Sequence, residues 1–156
     1  MLERKIFFRH IFCSYASLER YLFSELSWQL HLLEDGYFSR KHHGYCGVYR
    51  LIGLTCEGDL ATPATLNRIC AQDTTGTLYI GQAGSLSDRL NQMRRRRATH
   101  NTLDALTPAL AERFPATKRA VALLFTSLPD AGAVERDLLG AYRNTFGDMP
   151  PLNLRG

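Results

Sequence analysis

The stretch GTLYIGQAGSLSDRL, residues 76–90, does most to limit what this chain can fold into. Residues 76–83 are rich in β-favouring side chains and predict a strand. Gly84 interrupts it, and Ser85 with Asp88 three places on makes a capping-box-like helix start. The helix is expected to run to about residue 97, with Leu86, Leu90 and Met93 on its inner face. A strand that feeds a helix through a glycine-bearing turn points backbone N–H groups and the Arg89 guanidinium one way, a cradle suited to phosphate. The ordinary alternative for Arg89 is a solvated arginine beside its own Asp88.

The rest of the chain supplies partners for this unit. Residues 15–34 carry Leu18, Leu22, Leu26 and Leu30 at spacings of four, and are expected to form a helix with a broad apolar face closed by Gly36. Residues 37–45 read as a polar connector, and CGVYRLIGLTC, residues 46–56, as a strand. Residues 57–75, with Gly58, Pro63, Asp73 and scattered threonines, read as a loop or an excursion with a short helix. A further helix is expected at 101–113 and a third strand at 119–128. A last helix at about 131–145, opened by Pro129 and Asp130, turns Val134, Leu138, Leu139, Tyr142 and Phe146 inward. Prolines keep the tail DMPPLNLRG extended. Three strands with helices between and around them make a small α+β domain.

With 156 residues, 45% apolar and 22% charged, the composition is that of one soluble domain. The net charge is +4, and five arginines fall between Arg89 and Arg97. Such a concentration suits a polyanionic partner, and it also serves solubility. The cysteines, Cys13, Cys46, Cys56 and Cys70, include no CxxC pair, so buried reduced thiols are expected rather than a zinc site. No apolar run approaches the ~20 residues of a membrane span. The first residues, MLERKIFFRHIFC, lack the cleavage site of a signal peptide, so a cytoplasmic protein is expected.

Three further residues invite chemistry. Glu135 shares a helix face with Leu139, Tyr142 and Phe146, where a carboxylate is costly unless paired or bound to a metal. Its place in the first turns of that helix offers a plainer reading, an acid favoured by the helix dipole and reaching solvent. Tyr49 and Tyr79 stand in the triplets GVY, 47–49, and YIG, 79–81, on two strands that can pair and bare the backbone around two phenols. Taken singly, strand tyrosines are packing residues with a wet hydroxyl.

Taken together, GVY, then YIGQAGSLSDRL leading to Arg89, then a helical glutamate 46 residues later and PPLN at the close, the chain resembles the GIY-YIG nuclease family over residues 46–156. The resemblance implies a mainly antiparallel three-stranded sheet flanked by helices, preceded by an N-terminal helical extension at 1–45 that packs on or extends the core. It implies a catalytic set of Tyr49, Tyr79, Arg89, Glu135 and Asn153. Tyr49 would stand near the attacking water as general base, and Tyr79 would bind the scissile phosphate. Arg89 would stabilise phosphoryl charge, with Gly81 letting the chain turn so that Tyr79 and Arg89 face one phosphate. Glu135 would hold one divalent ion per active site, Mg2+ or Mn2+, and Asn153 would orient the glutamate or a neighbouring loop. The reaction implied is phosphodiester hydrolysis in double-stranded DNA, by a homodimer or with a partner protein. Arg94, Arg95, Arg96 and Arg97, with Gln82 and Ser85, would contact the nucleic acid.

The chain departs from the family pattern in three places. Tyr49 and Tyr79 are 30 residues apart where about ten is usual, so 57–75 reads as an insertion, with Asn67 and Arg68 able to enter a DNA groove or to sit on an ordinary surface. Met93 stands four residues after Arg89, where the family often has a histidine or tyrosine, leaving Tyr49 alone or assisted by His43 or His100. Ser85 replaces a common asparagine, and both residues cap helices. A catalytically inactive nucleic-acid-binding or protein-interaction module on the same fold is the competing reading.

Overall fold

The computed structural model describes residues 28–33, 44–95 and 107–153. In chain order the strands are β1 (Gln29–Leu32), β2 (Gly47–Gly53), β3 (Leu66–Asn67), β4 (Gln72–Asp73), β5 (Thr77–Ala83) and β6 (Arg119–Phe125). The helices are α1 (Leu86–Arg95), α2 (Pro108–Arg113) and α3 (Leu128–Phe146). Four strands form one antiparallel sheet in the order β1–β6–β2–β5, and β3 pairs with β4 in a separate small hairpin. The architecture is α+β, with helices on both faces of the sheet.

β2, GVYRLIG, is buried along its whole length and β6, RAVALLF, along all but its last residue. Strands covered on both faces read as continuous apolar runs, which is how these two looked in sequence. Alternate residues then divide between two cores. Val48, Ile52, Ile80, Ala122 and Leu124 meet Val134, Leu138, Tyr142 and Phe146 of α3 on one face. Tyr49, Leu51, Leu78, Val121 and Leu123 meet Leu86, Leu90 and Met93 of α1 on the other. α3 ends where Gly147 takes a left-handed φ of 78° and returns its N–H to the Arg143 carbonyl at 2.8 Å.

Two expectations are corrected. Residues 29–32 lie within the helix expected at 15–34, yet they form a strand against β6, with Gln29 opposite Leu123 and Leu32 opposite Ala120. Of the leucines at spacings of four, Leu30 falls in this strand and is exposed there, so that periodicity does not set its buried face. The unpaired side of β6 decided for the strand: a buried strand must find partners for its N–H and C=O groups. The sheet therefore has four strands rather than three, and the chain before residue 46 contributes one of them. The remainder of that expected helix, and residues 101–106 of the helix expected at 101–113, lie outside the described residues.

The segment 57–75 contains the β3–β4 hairpin rather than a helix. It is fastened to the end of α3 instead of projecting. An Arg68 Nη donates to Asp148 at 3.1 Å and also to the Met149 carbonyl, and the Cys70 N–H donates to the Phe146 carbonyl at 3.0 Å. Arg68 is thus committed within the protein and is not presented to a groove.

Candidate active site

Tyr49 on β2 lies directly opposite Gly81 on β5, and Tyr79 precedes Gly81 by two residues on the same face. The two phenol rings stand 5.8 Å apart, tilted by 32°. Gly81 is what admits them. A Cβ there would lie 2.4 Å from Tyr79 Cε1 and 2.9 Å from the Tyr49 hydroxyl oxygen, closer than real side chains come. This corrects the expected role of Gly81: it sits in regular strand, outside the positive-φ glycines, and serves close approach rather than a turn.

Tyr49 is 2% exposed, whereas Tyr79 is partly open to solvent. Burial pushes the Tyr49 phenol above the ordinary tyrosine range. The neighbouring Tyr79 adds to this, the Arg89 charge pulls it down, and a hydrogen bond to Tyr79 and the charge of Glu135 raise it again. Hence Tyr49 meets neutral pH as a protonated hydroxyl, and only positive charge favours its phenolate.

Arg89 is carried by α1, whose start is held in place. The Leu86 N–H donates to the Tyr45 carbonyl at 2.9 Å, and the Asp88 N–H faces the Ser85 hydroxyl at 3.4 Å. Ser85 thus caps α1. Leu86 and Leu90 are fully buried and set the helix's rotation, leaving Arg89 half-buried on its flank. Met93, one turn further, is part of the apolar core, so the position where the family often places a base is packing here. Arg94 is exposed; the side chain of Arg95, together with Arg96, Arg97, His43 and His100, lies outside the described residues.

The last two candidates meet on the open edge of β5. The Leu152 N–H donates to the Leu78 carbonyl at 2.9 Å. Two residues along, the Asn153 amide accepts from the Ile80 N–H at 2.9 Å and donates to the Ile80 carbonyl at 2.7 Å, as a further strand would. Two residues beyond that, the Gln82 backbone N–H lies close enough to the Glu135 carboxylate to favour its charged form. The tail and α3 thereby share one edge, in register with its free donors. Asn153 fastens the tail beside Glu135 rather than binding the carboxylate itself.

Glu135 is not on the buried stripe of α3, which is formed by Ala131, Val134, Leu138, Tyr142, Thr145 and Phe146. It flanks that stripe, half-buried. The stripe packs on the face opposite the tyrosines, so Glu135 approaches them around the edge of β5. Its charge is felt at the Tyr49 hydroxyl. Burial raises its own pKa above the ordinary carboxylate value, against the Gln82 N–H and the Arg136 charge, which lower it. The exposed Gln82 side chain lies near Gly132 of α3.

Among the described residues, no three His, Cys, Asp or Glu side chains gather as metal ligands. Among the described residues, Arg68 and Asp148 form an ion pair and Glu135 forms none. A half-buried carboxylate of this kind fits a magnesium ion held by one protein oxygen, with water and substrate oxygens completing its shell.

The sequence reading missed a polar cluster on the other face. Asp73, fully buried, accepts from the Thr75 N–H at 2.7 Å, the Thr75 hydroxyl at 2.6 Å, the Thr77 N–H at 3.2 Å and the Tyr142 hydroxyl at 2.8 Å. Burial lowers the nearby Arg50 to about 10, while Asp73 and Tyr142 support its charge. The signal available was DTTGT, residues 73–77, whose Asp-x-Thr spacing favours a side-chain-bonded turn.

No family model, no curated protein and no solved structure matches the chain. No helix among the described residues is long and apolar enough to cross a membrane.

Proposed function

We propose that the chain is a divalent-metal-dependent DNA endonuclease of the GIY-YIG type. One observation carries the reading: Tyr49 and Tyr79 stand 5.8 Å apart against Gly81, with Arg89 and Glu135 near enough for their charges to bear on the Tyr49 hydroxyl, although these residues are scattered over β2, β5, α1 and α3. Helices on both faces of an antiparallel sheet are compatible with that fold. The three described cysteines are free, which supports a cytoplasmic setting.

In this reading the Arg89 guanidinium binds a non-bridging oxygen of the scissile phosphate and stabilises the charge that grows there. The partly exposed Tyr79 hydroxyl donates to the same phosphate. Tyr49, protonated at rest, orients the attacking water, and it takes that water's proton only as the phenolate, once nearby positive charge has lowered its pKa and its own proton has passed to solvent. Glu135 would hold Mg2+ or Mn2+, which when bound supplies Lewis-acid stabilisation of the leaving oxygen. Asn153 keeps the tail on β5 and so fixes the edge from which Glu135 acts. Arg94 extends the basic surface along the DNA backbone, and the partner is double-stranded DNA, cut by a homodimer or with a second protein.

Two observations favour the second reading, a binding module without catalysis: the core position of Met93 and the elevated pKa of Tyr49. One experiment separates them. Supercoiled plasmid incubated with the protein and magnesium should be nicked or linearised, and Glu135→Gln should lose this activity while keeping its fold. A gel shift without cleavage in either protein would establish the binding module.

A further inference from the structure

Of the four large apolar side chains exposed among the described residues, Leu30, Tyr45, Ile69 and Leu128, two stand at the end of the sheet where α1 begins. Tyr45 is 55% exposed and Leu128 61%. Tyr45 is not a loose surface residue. Its carbonyl receives the Leu86 N–H, which ties it to the first residue of α1, and its ring stands edge-on to Phe125 at 5.3 Å. Leu128 lies beside Gly84, the residue before the α1 cap. Beneath them, Gly47 pairs with both Ala83 and Phe125, so the ends of three strands meet at this rim.

The rim continues the phosphate wall. Tyr45 precedes Tyr49 by four residues, about 13 Å along an extended chain at the usual strand rise. Arg89 lies one turn into the helix whose start Tyr45 anchors, and the exposed Arg94 follows on α1. An immobilised aromatic face beside guanidinium groups complements a ligand that joins a flat apolar ring to an anion. A nucleotide has that form, with its base on the ring and its phosphate on the arginine.

We infer that Tyr45 is a stacking platform for a nucleobase within about two nucleotides of the scissile phosphate. This rests on the nuclease reading and extends it to substrate class. In an intact duplex each base face is covered by its neighbours, so a protein ring reaches one only where the base is unstacked. The favoured substrate is therefore double-stranded DNA interrupted by an unpaired base beside the cleavage point, such as a bulge, rather than a continuous helix.

The test uses Glu135→Gln protein, to prevent turnover, with magnesium and oligonucleotides carrying 2-aminopurine either in an unpaired bulge or fully paired. The bulged probe should bind about tenfold or more tightly than the paired one, with a change in 2-aminopurine fluorescence. Adding Tyr45→Ala should abolish that preference and the optical change. Tyr45→Phe should keep both, since stacking needs the ring and not the hydroxyl. Equal binding of the two probes, or an unchanged preference in Tyr45→Ala, overturns the platform. If the parent protein nicks plasmid in that event, the nuclease reading survives alone; if it neither binds nor cuts DNA, both fall together.

Discussion

Two tyrosine clusters lie on opposite faces of one sheet, each with an arginine and a carboxylate nearby, and only one of them is built like a site. On the α3 face, Tyr142 donates to Asp73, whose carboxylate also takes up both threonines and supports the buried charge of Arg50. Arg50 in turn lies over the Trp28 ring at 5.4 Å. That cluster is closed, with its acid fully occupied by protein donors. On the α1 face, the Tyr49 and Tyr79 rings stand 5.8 Å apart, while Arg89 and Glu135 stand half-exposed at the margins. Burial raises both Tyr49 and Tyr142, so an elevated phenol does not by itself mark function. The distinction is whether the charges around it are spent on the protein or left facing solvent.

Substitutions can break or sharpen this contrast. The largest effect is expected from Asp73→Ala, which withdraws the acid that supports the Arg50 charge and strands four donors in the interior. It should cost about 3–5 kcal/mol, lowering the thermal midpoint on the order of 10 °C. Activity per folded molecule at low temperature should change little. A loss below about 1 kcal/mol would mean that the closed cluster is not what binds segment 57–75 to the core.

Arg89→Ala should leave thermal stability nearly untouched and reduce the cleavage rate constant by about 10²–10³, the cost of losing one preorganised charge at a transition state. Gly81→Ala should separate the phenols, because the added methyl occupies the position of the Tyr79 ring edge. A displacement near 1 Å at the reacting groups lowers cleavage by about 10², with overpacking adding about 1–3 kcal/mol of instability. Full cleavage by Gly81→Ala would show that the two rings need not stand together.

The smallest effect separates activity from stability along the pH axis. A raised pKa means that Glu135 loses its proton later than an ordinary carboxylate. Cleavage that needs the ionised acid should therefore decline as pH falls, with its inflection above the usual carboxylate value. Stability runs the other way. Because folding favours the protonated form, the contribution of this group is present at low pH and disappears as pH rises through the raised pKa. Glu135→Gln should accordingly abolish cleavage while making the thermal midpoint slightly higher at neutral pH, as followed by circular dichroism.

Some of this could be read before any coordinates. β2, β5, β6, α1 and α3 followed from apolar runs, from periodicity and from the Ser85 cap, because those signals are local. Residues 29–32, within the helix expected at 15–34, illustrate the limit, since they form a strand only where β6 offers them an unpaired edge. The segment 57–75 shows another: Asp73 looked like a turn residue, and only its contact with Tyr142, 69 positions away, made it part of the core. For the candidate site, residue types and order were legible, whereas the role of Gly81 and the path of Glu135 were not. Those depend on which residue stands across the strand and which edge lies free.

By itself the sequence determined an α+β chain with a strand–turn–helix unit, a basic α1 and a short list of residues able to handle phosphate. Pattern and composition act through neighbours along the chain, and they suffice for that much. Only the tertiary structure decided that β5 is an edge, that Asn153 takes the free groups of Ile80 along it with Glu135 close by, and that a glycine lets two phenols approach. Each of these is a pairing between distant segments, selected by the requirement that buried backbone groups find partners and buried side chains find room.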